Sequence, residues 1–441
     1  MPWLSDRARF ITSIREDDDV TIAAMSNLNI LISGSGIAGS VFALWLLRAY
    51  PDANITIVER DPSLRLTGAS VDIRSSAVDI IKWMGAEQEI RNQTTNEEGM
   101  QIVDANGKAV ATLRATGRSD IQSITSEFEI FRGALAKIFI DPIIKQVKLI
   151  FDESVDHFEQ RDNGVVVTFA KSKEVKTYDL LVAADGLGSK IRGMMLKSKP
   201  QEQLYDEGVH VAYFTIKSDL LQGGRLAKGY NATGGRAIFL RPDPNPAGRT
   251  RCNLMNVTTS GNSETKERLN KALREGNQSY MKLMEEMFRD VGWVAPEVLQ
   301  GMRESDDFYC SLFGQIRSPK IHDGRVVLLG DAGYATPGFG TSLAIIGGYV
   351  LAGELLSHPG DVKTALKRYE EIMLPFAKNS QGGNYAMQLF NPQTLWGIRI
   401  RNAILGFVTC TKLDRLALAL AWALGFTEKK VPMPDYQWPV K

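Results

Sequence analysis

The chain has 441 residues, which at roughly 150 per domain predicts about three folding units or two unequal ones. Hydrophobic residues make up 44% and charged residues 23%, ordinary globular usage that excludes a disordered chain, a coiled coil and a collagen-like repeat. Lys plus Arg (52) nearly cancels Asp plus Glu (51), so no global field favours nucleic acid or an acidic membrane surface.

Residues 1–26 mix Arg7, Arg9 and Arg15 with an acidic run and hold no apolar core of signal-peptide length; they read as an extended segment. A strand-like run over 28–33 meets Gly34-Ser35-Gly36-Ile37-Ala38-Gly39 and continues as a helix over 40–50, stopped by Pro51. Residues 55–58 read as a second buried parallel strand ending at Glu59, which completes one βαβ unit. Ser75 is placed to cap a helix in which Ala77, Ile80, Ile81 and Met84 follow helical spacing, and Gly85 stands where a left-handed terminal residue is expected. A further helical pattern lies around 129–140. Strands over 147–151, 155–160 and 165–169 follow, with Asn163-Gly164 as a hairpin turn. The unbroken apolar run over 179–184 suits a central parallel strand and ends at Asp185-Gly186.

From 208 to 257 the pattern changes to short β-like runs (209–216, 237–240, 252–257) between Gly- and Pro-rich turns, which predicts a second sheet. Residues 265–291 read as an amphipathic helix with Met281, Met284 and Met287 on its packing face, and His210 reads as structural. A buried strand over 325–329 ends at Gly330-Asp331. Its loop opens a helix to about Ser357, and another helix spans 362–376. The amphipathic run over 398–426 is expected to cap the second domain; its stretch 416–426 is too short for the about 20 residues that cross a bilayer, so no stable membrane insertion is expected.

This order predicts an α/β (α+β overall) fold. A discontinuous Rossmann-like domain, 27–95 with 127–199 and 314–380, receives an inserted mixed-sheet substrate domain, 96–126 with 200–313. A C-terminal helical segment covers 381–441. Three scattered cysteines (Cys252, Cys310, Cys410) predict a reducing, cytoplasmic setting. Four histidines without ligand spacing predict no metal site.

The chemistry starts at the glycine loop. Gly34 permits the tight turn, Gly36 lets backbone approach a pyrophosphate, and Gly39 lets the helix pack on the sheet. The helix N-terminus then offers free N–H groups to phosphate. Glu59, 20 residues after Gly39, stands where a carboxylate meets ribose hydroxyls and repels a 2′-phosphate, so the bound dinucleotide is FAD or NAD rather than NADP. Gly330-Asp331 before Pro337, Gly338 and Gly340 adds a second carboxylate and helix start suited to a flavin's ribityl chain and pyrimidine edge.

With these three separated motifs (the glycine loop with Glu59, the run from Asp179 through Asp185-Gly186 to Arg192, and Gly330-Asp331-Ala332), the chain resembles the para-hydroxybenzoate hydroxylase family of single-component FAD-dependent aromatic hydroxylases. Gly68-Ala-Ser-Val-Asp72-Ile-Arg74, Ile130-Phe-Arg132-Gly, Tyr213-Phe-Thr-Ile216 and Gly347-Gly-Tyr-Val-Leu-Ala-Gly-Glu354 make it most similar to the branch of tetracycline-inactivating and fungal polyketide monooxygenases. The resemblance spans about residues 27–380; the loop after Asp331 is shorter than the family's usual one.

The resemblance implies non-covalent FAD held by the glycine loop, Glu59 with Arg60, and Arg132, with Asp72 and Arg74 near the flavin. It implies that Asp185 and Gly186 bind FAD beside a groove for transient NAD(P)H, supported by Arg192. No second GxGxxG occurs to give the reductant its own domain. It further implies that one atom of O2 enters an aromatic or polyketide-like molecule through a flavin C4a-hydroperoxide, with no side-chain nucleophile. Tyr213, Arg225, Arg236 and Arg241 are the candidates for substrate contacts on the inserted sheet. A monomer or homodimer is expected. The alternatives are a flavin dehydrogenase or oxidase on the same scaffold, and a non-enzymatic carrier, which intact Gly34, Gly36, Gly39 and Asp331 argue against.

Overall fold

The computed structural model describes residues 28–64, 70–95, 97–114, 128–244, 248–382, 385–411, 413 and 431–439. The extension expected over 1–26 and the apolar run 416–426 lie outside them.

Asn29–Ser33 and Asn54–Glu59 are adjacent parallel strands, with Ile30 level with Ile55 and Ile32 with Ile57. Their apolar side chains are buried on both faces, as a strand between helical layers requires. Leu180–Ala183 flanks the first strand and Val326–Leu328 lies beyond it, while Lys148–Phe151 follows the second. The antiparallel edge is His322–Asp323. Segments far apart in sequence therefore share one sheet, and their C-terminal ends bring Ser33, Glu59, Ala183 and Leu328 to the same rim.

The helices Ile37–Ala49 and Gly340–Ser357 cross above this rim at close range. A β-carbon on Gly348 would lie 2.8 Å from Val41 Cγ1 and 2.9 Å from the Phe42 nitrogen, so only glycine admits this approach. Gly340–Ser357 is long and apolar enough to span a membrane, but 78% of it is buried against the fold, which makes it a core helix. Residues 431–439 strap over the pair: the Tyr436 hydroxyl donates to Glu354 Oε1 at 2.7 Å, and Tyr349 to the Pro434 carbonyl at 2.9 Å.

Several local expectations shift. Residues Glu129–Phe131 form a strand paired with Ser70–Asp72 before the helix Arg132–Ile140 begins. Ser75 does not cap its helix; it sits at φ 55° with no side-chain bond to the helix start. In the small antiparallel sheet of Val155–Arg161, Gly164–Phe169 and Val175–Tyr178, Gly164 is already paired with Arg161, so the turn is Asp162-Asn163. The helix expected over 265–291 breaks at Gly276, φ 103°, into Ser263–Glu275 and Asn277–Phe288.

The second layer is a seven-stranded sheet ordered Tyr309–Ile316, Leu204–Ile216, Thr250–Val257, Arg236–Pro242, Leu226–Ala232, Gly99–Val103 and Ala109–Arg114. One face packs Phe214, Leu240 and Leu254 against Met284, Phe288 and Val298 of three covering helices, the two above and Ala295–Arg303. Strand alternation puts His210 on this covered side, where Nε2 bonds Asn270 Oδ1 at 2.9 Å and burial pulls its pKa down, a packing role. The other face carries Val209, Val211, Tyr213 and Met255, and its Tyr213 shares a cleft with Gly36 and Asp331 of the parallel-sheet layer. The helix Leu395–Cys410 closes the far end of this sheet, with Arg401 donating to Asn231 Oδ1 at 2.8 Å.

Candidate active site

The first strand turns at Gly34, φ 111°, where a β-carbon would overlap the Ala184 carbonyl oxygen. Gly39 packs against the Gly34 carbonyl with no room for a side chain. Gly36 differs: nothing lies within 4 Å of the place its β-carbon would take. The turn therefore presses two glycines into the protein and leaves the third facing open space, above the N-terminus of Ile37–Ala49. Glu59 fastens the turn from the neighbouring strand, accepting from the Ser35 N–H at 3.0 Å and the Ser35 hydroxyl at 2.9 Å.

The same open space continues as a cleft of about 350 Å³. Gly36, Ile37 and Ala38 line one end; Asp72, Arg132 and Gly186 line the middle; Asp331, Pro337, Gly338 and Gly340 line the side formed late in the chain. Gly330 turns at φ 63° against the Ala38 methyl, which seats the Asp331 carboxylate at the start of Gly340–Ser357. A β-carbon on Gly340 would stand 3.2 Å from Asp331 Oδ1.

The opposite wall is the sheet. Tyr213 and Tyr309 are cross-strand partners with ring centroids 6.0 Å apart and planes 22° from parallel. Ser311 and Phe313 continue that face along the edge strand. Burial pushes the Tyr213 phenol well above its ordinary value, so it stays protonated and acts as a neutral hydrogen-bonding group.

Other candidates lie elsewhere. Arg60 is exposed. Arg74 pairs with Asp72 at 2.7 Å, and its backbone N–H donates to Ser342 Oγ at 2.9 Å. The cleft meets Ala184 and Gly186, while the Asp185 carboxyl sits beside Ser189 and Arg192; burial pushes it upward against both. Arg192 is off the cleft lining and fully buried, its guanidinium donating to the carbonyls of Ala332, Leu187 and Pro200, each at 2.8 Å. It ties the loop after Asp185 to the loop after Asp331, a bracing role in place of the expected cofactor contact.

Of the four sheet residues expected to touch substrate, Tyr213 alone lines the cleft. Arg225 is exposed at a strand start. Arg236 falls on the helix-covered face and pairs with Asp290 at 2.5 Å, because alternation sends it there. Arg241 is on the cleft side but held behind the wall by Glu97 and Glu129. Tyr309, Ser311 and Phe313 are missing from the sequence reading. Their alternation in Tyr309-Cys-Ser-Leu-Phe313 is the signal that marks a half-buried strand.

The cleft suits a flavin dinucleotide on its own terms. Gly36, Gly186 and Gly338 each leave open space where a side chain would begin. Arg132 is the one cation on the lining and has no carboxylate partner among the described residues. Asp72 Oδ1 on the lining is buried with no hydrogen-bond partner among the described residues, an acceptor awaiting a donor.

An FAD binding domain family model matches residues 27–281. The FAD-dependent monooxygenase asL4 of Sarocladium schorii is 32% identical, covering 93% of this chain and 99% of that protein. Monooxygenase CTB7 of Cercospora beticola is 33% identical, covering 94% and 99%. Among solved structures, the tetracycline destructase Tet(51) superposes with a TM-score of 0.69 at 28% identity, covering 93% of this chain and 99% of its own.

Proposed function

Because this chain belongs to the family of single-component FAD-dependent monooxygenases, we propose that it draws on NADH or NADPH to place one oxygen atom of O2 into an aromatic or polyketide-like small molecule. FAD, when bound, would supply the oxidising chemistry by activating O2. The chain supplies position and dryness. Gly36 and the N-terminus of Ile37–Ala49 receive the pyrophosphate, Glu59 the ribose, and Arg132 the negative charge left on the phosphates or ribityl chain. Asp331 and the start of Gly340–Ser357 hold the ring end, and Tyr213 with Tyr309 presents an aromatic plane to the substrate while excluding water.

One observation carries this reading: a glycine turn open at Gly36, before a helix N-terminus, and an aromatic sheet wall line a single cleft. Among the described residues the lining holds no His, Cys or Lys. Its similarity to asL4 and CTB7, both monooxygenases, favours oxygen insertion over simple dehydrogenation. The test supplies FAD-loaded protein with NADH or NADPH, isotopically labelled O2 and a panel of polyhydroxylated polycyclic phenols, tetracyclines included. A product carrying one labelled oxygen is expected. Steady reductant consumption that yields only hydrogen peroxide across the panel favours the oxidase reading instead.

A further inference from the structure

Resting on that monooxygenase reading, we infer that the substrate binds as an uncharged phenolic ring, and that Glu97 and Glu129 are specificity-determining residues that make the sheet wall refuse carboxylates by cancelling Arg241. The charges on and behind the wall point this way. The lining carries one cation, Arg132, against two carboxylates, Asp72 and Asp331. The phosphates of the dinucleotide take up Arg132, which leaves no lining cation for a substrate among the described residues.

Directly behind Tyr213 and Ser70, which line both the cleft and a small adjoining cavity, stand two more guanidiniums, Arg241 and Arg251. Left alone, either would anchor an anionic substituent. Neither is alone. Arg241 Nε meets Glu97 Oε1 at 2.6 Å, its Nη2 meets Glu129, and its Nη1 donates to Ser70 Oγ. Arg251 pairs with Asp243 at 2.6 Å and Asp307 at 3.1 Å. Arg249 also stands 3.8 Å from Asp243, so four carboxylates and three guanidiniums are paired among themselves. Burial favours the neutral form of Glu97, opposed by Arg241, and with that proton added three carboxylates face three cations, none of which is left over for a ligand. Asp72 and Arg74 in turn cancel each other across 2.7 Å.

A carboxylate arriving beside Tyr213 would shed its water and find hydroxyls but no unpaired cation to offset that loss. An uncharged phenol meets the paired rings of Tyr213 and Tyr309, the apolar Phe313 and the neutral hydroxyls of Tyr213 and Ser311. Simple satisfaction of a buried arginine also accounts for Glu97 and Glu129 bonding Arg241. That role predicts only damage when they are changed, whereas charge exclusion predicts a gain.

The test uses FAD-loaded protein and a matched pair of probes, 2-naphthol and 6-hydroxy-2-naphthoate, with binding followed by the shift in flavin absorbance. The naphthoate is expected to bind at least about tenfold more weakly than the naphthol. Glu129→Gln and, separately, Glu97→Gln keep the side-chain shape. Glu129→Gln is expected to tighten naphthoate binding by about tenfold, Glu97→Gln by less because burial already favours its neutral form, and both to leave naphthol within about twofold. Equal or tighter naphthoate binding by the unaltered protein, binding of neither probe, or no tightening in either variant overturns the inference. Flavin content and NAD(P)H oxidation, measured on the same preparation, separate the two claims. Yellow, reductant-oxidising protein that prefers naphthoate defeats this inference alone, and colourless protein defeats the parent reading with it.

Discussion

The Glu59 carboxylate, at the end of the second parallel strand, accepts both the N–H and the hydroxyl of Ser35 in the glycine turn, at 3.0 and 2.9 Å. The acid usually assigned to ribose therefore also sets the shape of the phosphate-binding loop. Replacing Glu59 with Ala removes two hydrogen bonds to a charged acceptor and is expected to weaken FAD binding by about tenfold or more. Ser35→Ala, which keeps the backbone bond, should cost less. Titration of each apoprotein with FAD, followed by flavin fluorescence, ranks the two.

The glycine turn separates fold from binding. Gly36→Val projects a branched side chain into the space that now holds nothing within 4 Å. It is expected to give folded protein that no longer retains FAD. Gly39→Ala drives a methyl into the Gly34 carbonyl and should destabilise the fold by about 1–3 kcal/mol. Thermal melts of the two apoproteins distinguish them: the first near wild type, the second lower.

Arg192 predicts a different signature. Arg192→Met leaves the Ala332, Leu187 and Pro200 carbonyls without their donor, the first of them buried, at about 1–3 kcal/mol for that unsatisfied group. The melting temperature is expected to fall sharply, with flavin retention failing as a consequence. A variant with wild-type stability and weakened FAD binding would instead return Arg192 to direct cofactor contact.

Acid lability has a named source near Glu59. The backbone N–H of Glu153 donates to the Glu59 carbonyl, and its carboxylate accepts from the N–H groups of Ser154, Lys171 and Ser172, each at 2.9 Å. Burial opposes these bonds but they prevail, holding the carboxyl down at about 2 against an ordinary 4.5. A folded value below the unfolded one means that ionised Glu153 stabilises the fold fully above 4.5. That contribution is lost as pH falls from 4.5 toward 2. Glu153→Gln should melt lower than wild type at neutral pH, and the difference should shrink across that window.

How much of this was legible in the sequence depends on the range of the cause. The turn at Gly34–Gly39, the strand to Glu59 and the strand before Asp185 follow from local periodicity and glycine geometry, and the family resemblance joins them to Asp331. The face of a strand is legible only once its register is known. Arg236 and Arg241 lie five residues apart on one strand and so point to opposite faces, which composition cannot assign. Arg192 reads as a ligand because its three carbonyl partners lie on loops that only the folded chain brings together. Tyr309 was missed because its strand pairs with one almost a hundred residues earlier, where Tyr213 stands opposite it.

The most direct test of the central claim is an equilibrium titration of purified apoprotein with FAD, read by flavin fluorescence. The account predicts saturation at one FAD per chain, a bound absorbance band near about 450 nm, and weaker binding in Asp331→Ala. Apoprotein that melts cooperatively yet leaves added flavin unperturbed, or an Asp331→Ala variant that binds FAD as tightly as wild type, would contradict it.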